Sequence, residues 1–569
     1  MPRIGAAWFP TDAIGQGDPR HRVRETGHKD LDTLSLEYTE AAWQAVKEGK
    51  IRMMYGRWKR FWGIFLLVLL AGCAVNPVTG KKELALIGEA QELAIGKKNY
   101  GPYRQAQGGD YTADPALLAY VQRVGQRLAA VSDRRLPYEF RVVNDSSPNA
   151  WALPGGKIAV NRGLLLALQD EAELAAVLAH EIVHAAARHT AQSMQRGIFL
   201  QGALMAVGVA LKGSDYQQQG NLGATIGADL VKSHFSREAE SEADAYGMRY
   251  MLRAGYDPAA AVSLQETFVR LFEDRSPDWL DGLFASHPPS RERVAANRRL
   301  LAKLGEPGGE RGRERYRLAI AHLRQVQPAY EAYTQACKAL EVGNMQRALA
   351  LLDKAMHIEP KEALFPILRG EIHKRLGHQR EALYDFDHAL ALNPDYYLSR
   401  VQRGLLEHEL GRHAEAERDL EASIVLLPTA DAYYGLGLIA EQRGRTREAL
   451  GYFQAVATSG STMSEDAAQR LALLDLADHP DRYLKVSLGL HGDGHLLLRL
   501  RNASAVSVHG IQVVIGRSAG RHLEPLHTLR LRGRLPAGGE QQFDTGLRLR
   551  DAAETRGLVA RVIAARPQR

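Results

Sequence analysis

The sequence predicts a multidomain chain. It has a mainly α-helical domain with a small β-sheet over residues 73–305, an α-solenoid over 327–478 and a small β-sandwich over 479–569. Three observations predict it. An alanine-rich helical pattern at 170–190 carries two histidines one turn apart. A 34-residue period of glycine, alanine and proline follows from residue 343. Beyond residue 481, short alternating runs are separated by Gly, Asn and Pro, as strands are. At 569 residues, 45% hydrophobic and 24% charged, the chain is ordinary for globular protein but too long for one core. Its two cysteines, Cys73 and Cys337, exclude a disulfide framework and a cysteine-rich metal finger. The net charge of +7 is carried by residues 481–569, with 15 Lys/Arg against 7 Asp/Glu. The remainder is near neutral and has no recognition helix or stacking motif, so nucleic acid is not an expected partner.

Residues 61–75 carry no charge and follow Arg57, Lys59 and Arg60. A basic segment, a short apolar run and small residues at its end describe a secretory signal; a membrane span needs about 20 apolar residues. Leu70-Ala71-Gly72-Cys73 also resembles the bacterial lipobox. That resemblance implies cleavage before Cys73 and lipidation of its thiol. Ala74, in place of Asp, implies sorting to the outer membrane of a Gram-negative bacterium, facing the periplasm. A start at Met53 or Met54 gives a signal of normal length, so residues 53–72 are read as the lipoprotein signal peptide and 1–52 as an over-called extension. Cys337 reads as a small buried apolar residue in a helical repeat.

Asp170 and Glu173 form a capping-box pattern, after which Leu174, Val177, Leu178 and Ile182 recur at helical spacing. Seven alanines between 172 and 187 favour a helix packed closely on its neighbours. Within it lies His180-Glu181-Ile182-Val183-His184. The i, i+4 spacing places both imidazoles on one face, where they can grip one metal ion. Glu181 lies about 100° round the helix, beside the open metal position, as a general base acting on water. Catalytic zinc needs a third protein ligand and an open fourth position. His189, five residues after His184, is turned off the ligand face of a continuing helix and is read as structural. The stretch Ser236–Asp244 offers the third ligand. Glu240 and Asp244 are i, i+4 on a second helix, so Glu240 can reach the metal while Asp244 hydrogen-bonds the far nitrogen of a ligand histidine. On spacing alone, Glu238 and Glu242 compete with Glu240.

His-Glu-x-x-His, followed about 55 residues later by Glu-x-x-Ala-Asp, resembles the BepA/HtpX-type zinc metalloendopeptidase family, which includes the prenyl-protein endopeptidases. Three further stretches carry the resemblance: Asn76-Pro77-Val78-Thr79-Gly80-Lys81-Lys82-Glu83-Leu84, Asn149-Ala150-Trp151-Ala152-Leu153-Pro154-Gly155-Gly156-Lys157-Ile158 and Ser286-His287-Pro288-Pro289-Ser290. It implies a peptidase with one Zn2+ held by His180, His184 and Glu240, with Glu181 as base and Asp244 behind a ligand histidine. His287 has two functional readings, as a donor to the oxyanion or as a displaceable latch on the open zinc position; the resemblance favours the latch. On the residues alone it is a loop histidine before a proline turn, with Ser290 capping a helix from Arg291. Strand 156–160 or the Asn149–Ala150 segment could align an extended substrate by strand addition, making Asn149, Ala150 and Gly156 the substrate-binding candidates. The apolar run 197–211 reads as a buried helix, too short to span a membrane.

Gly305-Glu306-Pro307-Gly308-Gly309-Glu310 marks a boundary, with a linker and first helix over 306–326. In the period that follows, Gly343, Gly377 and Gly411 align, as do Ala348, Ala382 and Ala416, then Leu352, Phe386 and Leu420, then Pro360, Pro394 and Pro428. A fourth unit, slipped by one residue, gives Gly437, Gly444, Ala449 and Phe453. This is the spacing of tetratricopeptide repeats, whose stacked helix pairs usually bind peptide or protein on a concave face. Periplasmic members of the resembled family share the order of peptidase then repeats, which extends the resemblance to about residue 475. It implies work on misfolded or stalled outer-membrane proteins, with the repeats engaging substrate or the assembly machinery. The alternative is a repeat-based scaffold or chaperone whose peptidase is normally latched. The resemblance does not reach the C-terminal domain; its arginine excess suits anionic lipid or lipopolysaccharide, and equally a solvated surface.

Overall fold

The computed structural model describes residues 73–195, 235–274, 287, 289–305, 307–519, 522–550 and 554–568. The extension 1–52, the signal segment 53–72, the apolar run 197–211, Ser286 and Pro288 lie outside them. The described residues form two compact units, one of residues 73–103 and 116–321, the other of 104–115 and 322–568.

The first unit opens with the antiparallel hairpin β1 (Cys73–Val75) and β2 (Lys82–Leu84), turned at Gly80, whose φ of 71° favours glycine. Then come α1 (Glu89–Ala106), α2 (Pro115–Ala129), β3 (Glu139–Val143), β4 (Ala150–Leu153), β5 (Lys157–Asn161), α3 (Arg162–Ala167) and α4 (Glu171–Ala186). Helices α5 (Arg237–Arg253), α6 (Ala259–Asp274), α7 (Arg291–Lys303) and α8 (Arg313–Ala319) complete it. The sheet order is β3-β5-β4, with β3 parallel and β4 antiparallel to β5. This corrects one expectation. The strand from Gly156 cannot add a substrate strand, because β5 is central and both its edges are taken. Gly156 itself sits at φ 78° in the turn, and its carbonyl accepts from Glu139 N at 2.9 Å. The outer edges of this sheet belong to β3 and to β4, which begins at Ala150.

Helix α4 is the hub. All its residues are buried except His180, which is intermediate, because its alanines let neighbours approach on every side. Its start is fixed by charge. The Asp170 side chain accepts from Glu173 N, and Glu173 Oε2 accepts from Gln169 N at 2.9 Å. Glu171 accepts from Tyr120 Oη at 2.7 Å, Tyr256 Oη at 3.0 Å and the Arg315 guanidinium at 3.0 Å. Its far end is fastened by the Asn-Pro-Val-Thr-Gly turn: Asn76 Nδ2 donates to Ala187 O at 2.9 Å, while Asn76 Oδ1 accepts from Val78 N and Thr79 N.

The second unit is a helical repeat array: α9 (Ala321–Glu341), α10 (Met345–Ile358), α11 (Leu364–Arg375), α12 (Gln379–Leu392), α13 (Tyr397–Glu409), α14 (His413–Leu426), α15 (Ala430–Gln442), α16 (Thr446–Ala457) and α17 (Ser464–Asp475). Gly343, Gly377, Gly411 and Gly444 stand in the inter-helix turns at φ 69–78°, a region closed to most side chains. Ala348, Ala382, Ala416 and Ala449, with Leu352, Phe386, Leu420 and Phe453, are fully buried. The period therefore has a packing cause.

After a single turn at Pro480–Tyr483 come β6 (Leu484–Leu490), β7 (His495–Asn502), β8 (Val508–Ala519), β9 (His522–Arg530), β10 (Arg534–Leu535), β11 (Glu540–Arg548) and β12 (Leu558–Pro567). They make two antiparallel sheets, β11-β7-β6 and β10-β8-β12 with β9 also on β8. Leu484, Leu498 and Leu500 of one sheet share a hydrophobic core with Val508, Val513 and Val562 of the other, and with Ala472 and Leu476 at the end of the repeats.

Candidate metal centre

Helix α4 supplies His180 and His184, α5 supplies Glu240, and the residue before α7's cap region supplies His287. One ligand atom from each of these four lies within 4.8 Å of the others. His180 Nε2 is 3.0 Å from His184 Nε2 and 3.3 Å from His287 Nδ1, and His287 Nδ1 is 2.8 Å from Glu240 Oε1. Glu240 stands 3.4 Å from His184 Nε2. Of the competing carboxylates, Glu238 is exposed, and Glu242 accepts from Lys81 Nζ at 2.6 Å instead of joining the cluster.

The far nitrogens decide what the near ones can do. Asp244 Oδ1 lies 3.0 Å from His180 Nδ1. His184 Nδ1 lies 3.0 Å from His189 Nδ1, and His189 Nε2 lies 3.3 Å from Glu242 Oε2. Carboxylates only accept, so this chain of bonds assigns the protons: His180 carries its own on Nδ1, His189 on Nε2 and His184 on Nδ1. The Nε2 lone pairs of His180 and His184 then converge on one point beside a carboxylate. Such a nitrogen and oxygen donor set fits one Zn2+.

The electrostatics agree with a site for positive charge. Burial alone would lower the His180 imidazole, but Asp244 and Glu240 outweigh it and push it up to about 10. Burial opposes ionisation of Glu240 too, yet His287, His180 and His184 hold it well below the ordinary carboxylate value. His184, with no exposed surface, is lowered by that burial. Glu181 is raised, chiefly by burial. Its Oε2 is buried with no hydrogen-bond partner, and its Oε1 is 3.7 Å from His287 Nε2. A carboxylate so placed can take up a proton.

Three participants were not legible in sequence. His189 is bonded to His184 because the helix does not continue. Arg188 takes a left-handed φ of 62°, with its guanidinium 3.1 Å from Glu92, and the turn swings His189 back. Spacing arguments assume unbroken helix, so no sequence signal could have found it. Lys81 reaches the relay from the hairpin. Arg293, in the first turn of α7 beyond the Ser290 cap, lies 2.8 Å from Asp244 and 2.9 Å from Glu240. The structure does not bring Asn149, Ala150 or Gly156 into the four-residue group; Asn149 Oδ1 is buried without a hydrogen bond. Cys73 opens β1, paired with Leu84, and Cys337 is buried in α9. A recess lined by Val177, Met248, Leu264 and Phe268 opens onto His180 and Glu181.

Two histidines and a glutamate converging on one point, with a buried glutamate beside them on the same helix as the histidines, make up the donor set and base that mononuclear metallopeptidase centres use. Residues 115–300 match the family model described as Peptidase family M48. The chain is 33% identical over 194 residues to the "Putative beta-barrel assembly-enhancing protease" of Vibrio cholerae serotype O1, covering 32% of this chain and 39% of that protein. It is 38% identical over 179 residues to the "Mitochondrial metalloendopeptidase OMA1" of Schizosaccharomyces pombe, covering 31% and 50%. The chain thus spans half or less of these curated relatives' length. Among solved structures, that of MamA matches at 22% identity and TM-score 0.22, covering 25% of this chain and 86% of that one.

Proposed function

We propose that the chain is a zinc metalloendopeptidase acting on misfolded or stalled outer-membrane and periplasmic proteins. The observation that carries this is the convergence of His180, His184 and Glu240 beside the unpartnered buried oxygen of Glu181. When bound, zinc supplies a Lewis acid that polarises water and the scissile carbonyl. His180, His184 and Glu240 would hold it, with Asp244 orienting His180 and His189 orienting His184. Glu181 takes the proton of the attacking water and returns it to the leaving amine, a role that its raised pKa suits. The β4 edge that begins at Asn149–Ala150 can align an extended segment by strand addition, and the apolar recess can take a neighbouring side chain.

His287 acts as a displaceable fourth ligand; its Nδ1 among the ligand atoms supports this over donation to the oxyanion. In this reading the peptidase occupies residues 73–305, the tetratricopeptide repeats 327–478 and a β-sandwich 479–569. The relatives' printed names support β-barrel assembly as the setting, with the repeats binding unfolded substrate or the assembly machinery. Cys73, lipidated after removal of the signal peptide, anchors the chain to the periplasmic side of the outer membrane.

The test is cleavage of unfolded β-casein by zinc-loaded residues 74–569 and by the matched Glu181→Gln protein. Cleavage by wild type alone supports the reading; failure to hold zinc overturns it. The second reading, a scaffold with a normally latched peptidase, is favoured by the same His287 contacts. It predicts that neither protein cleaves although both bind zinc, and that His287→Ala releases activity.

A further inference from the structure

The C-terminal sheet β10-β8-β12, with β9 on β8, has one face on the core and one face outward. Val513, Val562 and Leu529 point inward, so their alternates point out. Register sets these outward residues in rows. Val559, Gly516 and Pro525 make one row; Arg561, Val514 and Thr528 the next; Ala564, Gln512 and Arg530 the third; Arg566, His509 and Arg534 the last. At two of the three register shifts, Ile563 and Leu526 are the extra residues.

Two properties of this face stand out. It presents Arg530, Arg534, Arg561 and Arg566 without one Asp or Glu at an outward position, and none of these four has an ion pair among the described residues. It also exposes aliphatic side chains: Leu526 is 58%, Val559 41% and Ile563 50% accessible. The outward face of the other sheet differs. There Arg499 is paired with Glu540, and Asp544 faces out in one row with Gly489 and a partly buried Leu497.

We propose that the outward face of β12, β8, β9 and β10 docks on an anionic phospholipid surface. Four uncompensated guanidiniums call for phosphate, which they can bind bidentately. Interleaved aliphatics call for a partner that also buries hydrocarbon, as a bilayer interface does. Nucleic acid offers no hydrocarbon and would call for aromatic stacking side chains, which the face lacks. At the centre of this face Val514 and Gly516 are buried, so its exposed arginines and aliphatics lie on the flanking strands β9, β10 and β12. The inference is independent of the zinc site and of the lipidation of Cys73.

The test is flotation of residues 74–569, which omit both Cys73 and the apolar segment before it, with vesicles of phosphatidylcholine alone or with added phosphatidylglycerol. The expected result is binding to the anionic vesicles only, weakening as salt is raised. Replacing the four arginines together (Arg530→Gln, Arg534→Gln, Arg561→Gln, Arg566→Gln) lowers the partition coefficient on the order of 10²- to 10³-fold, given the contribution of a basic residue at an anionic surface. Val559→Ser with Ile563→Ser weakens the binding that survives at high salt. Wild-type zinc content and thermal midpoint show that each variant is folded. Equal binding to neutral vesicles, undiminished binding by the arginine variant, or no flotation of wild type overturns the proposal. So does a dimer in solution that Val559→Ser with Ile563→Ser dissociates, since the face would then be covered by a second copy.

Discussion

Replacing His189 by alanine removes the acceptor for His184 Nδ1 while leaving every metal-ligand atom in place. His189 lies 3.0 Å from His184 Nδ1, and its side chain is 1% exposed, so water cannot readily substitute. In the metal-bound state His184 must carry its proton on Nδ1, where it would be buried and unsatisfied. In the empty site it can move that proton to Nε2, which has Glu240 at 3.4 Å. The penalty therefore falls on the bound state. An unsatisfied buried donor costs about 1–3 kcal/mol, and tenfold in affinity is about 1.4 kcal/mol, so zinc dissociation should rise roughly 5- to 150-fold. That range overlaps the roughly 10- to 100-fold typical of groups that orient metal ligands from behind. A competition titration against a chromophoric chelator measures it, with thermal melts to show that the variant is folded. Glu242→Gln keeps an acceptor for His189 Nε2 and should lose less. If His189→Ala binds zinc as tightly as wild type, helix packing alone orients His184 and the relay does not act.

Other outcomes follow from the same contacts. Glu181→Gln should abolish casein cleavage while leaving zinc stoichiometry unchanged, as activity assays and metal analysis will read. Burial alone would raise the Glu171 carboxyl, but Arg315, Tyr120 and Tyr256 hold it below the ordinary value. A depressed folded pKa gives stability that is full above the unfolded value of about 4.3 and is lost as pH falls from there through the lower folded value; thermal melts between neutral and strongly acid pH should therefore show wild type losing more stability than Glu171→Gln. In the repeats, a Cβ on Gly370 would stand 2.6 Å from Phe386 Cε1. Gly370→Ala should cost about 1–3 kcal/mol by overpacking, lowering the thermal midpoint of the repeat unit without changing zinc content.

Much of the architecture was legible because it rests on local rules. A 34-residue period can be read from glycines at turns that need positive φ and from small residues where helices touch. The His180–His184 pair was legible for the same reason: i, i+4 spacing fixes a shared helical face wherever the helix goes. Contacts across 50 residues or more have no such local rule. Spacing left Glu238, Glu240 and Glu242 as rivals, and only the packing of α5 on α4 turned Glu240 to the metal ligands and Glu242 to His189 and Lys81. The strand from Gly156 had the right composition for substrate pairing, but sheet order gives both its edges to β3 and β4. Arg293 meets Asp244 and Glu240 only because α7 is docked at the site. By itself the sequence determined the repeat period and the helix that carries the two histidines on one face, because these follow from periodicity along the chain. The tertiary structure decided which carboxylates, which strand edge and which supporting histidine complete the site, because those depend on how separate elements pack, and left-handed Arg188 bends the chain where periodicity no longer applies.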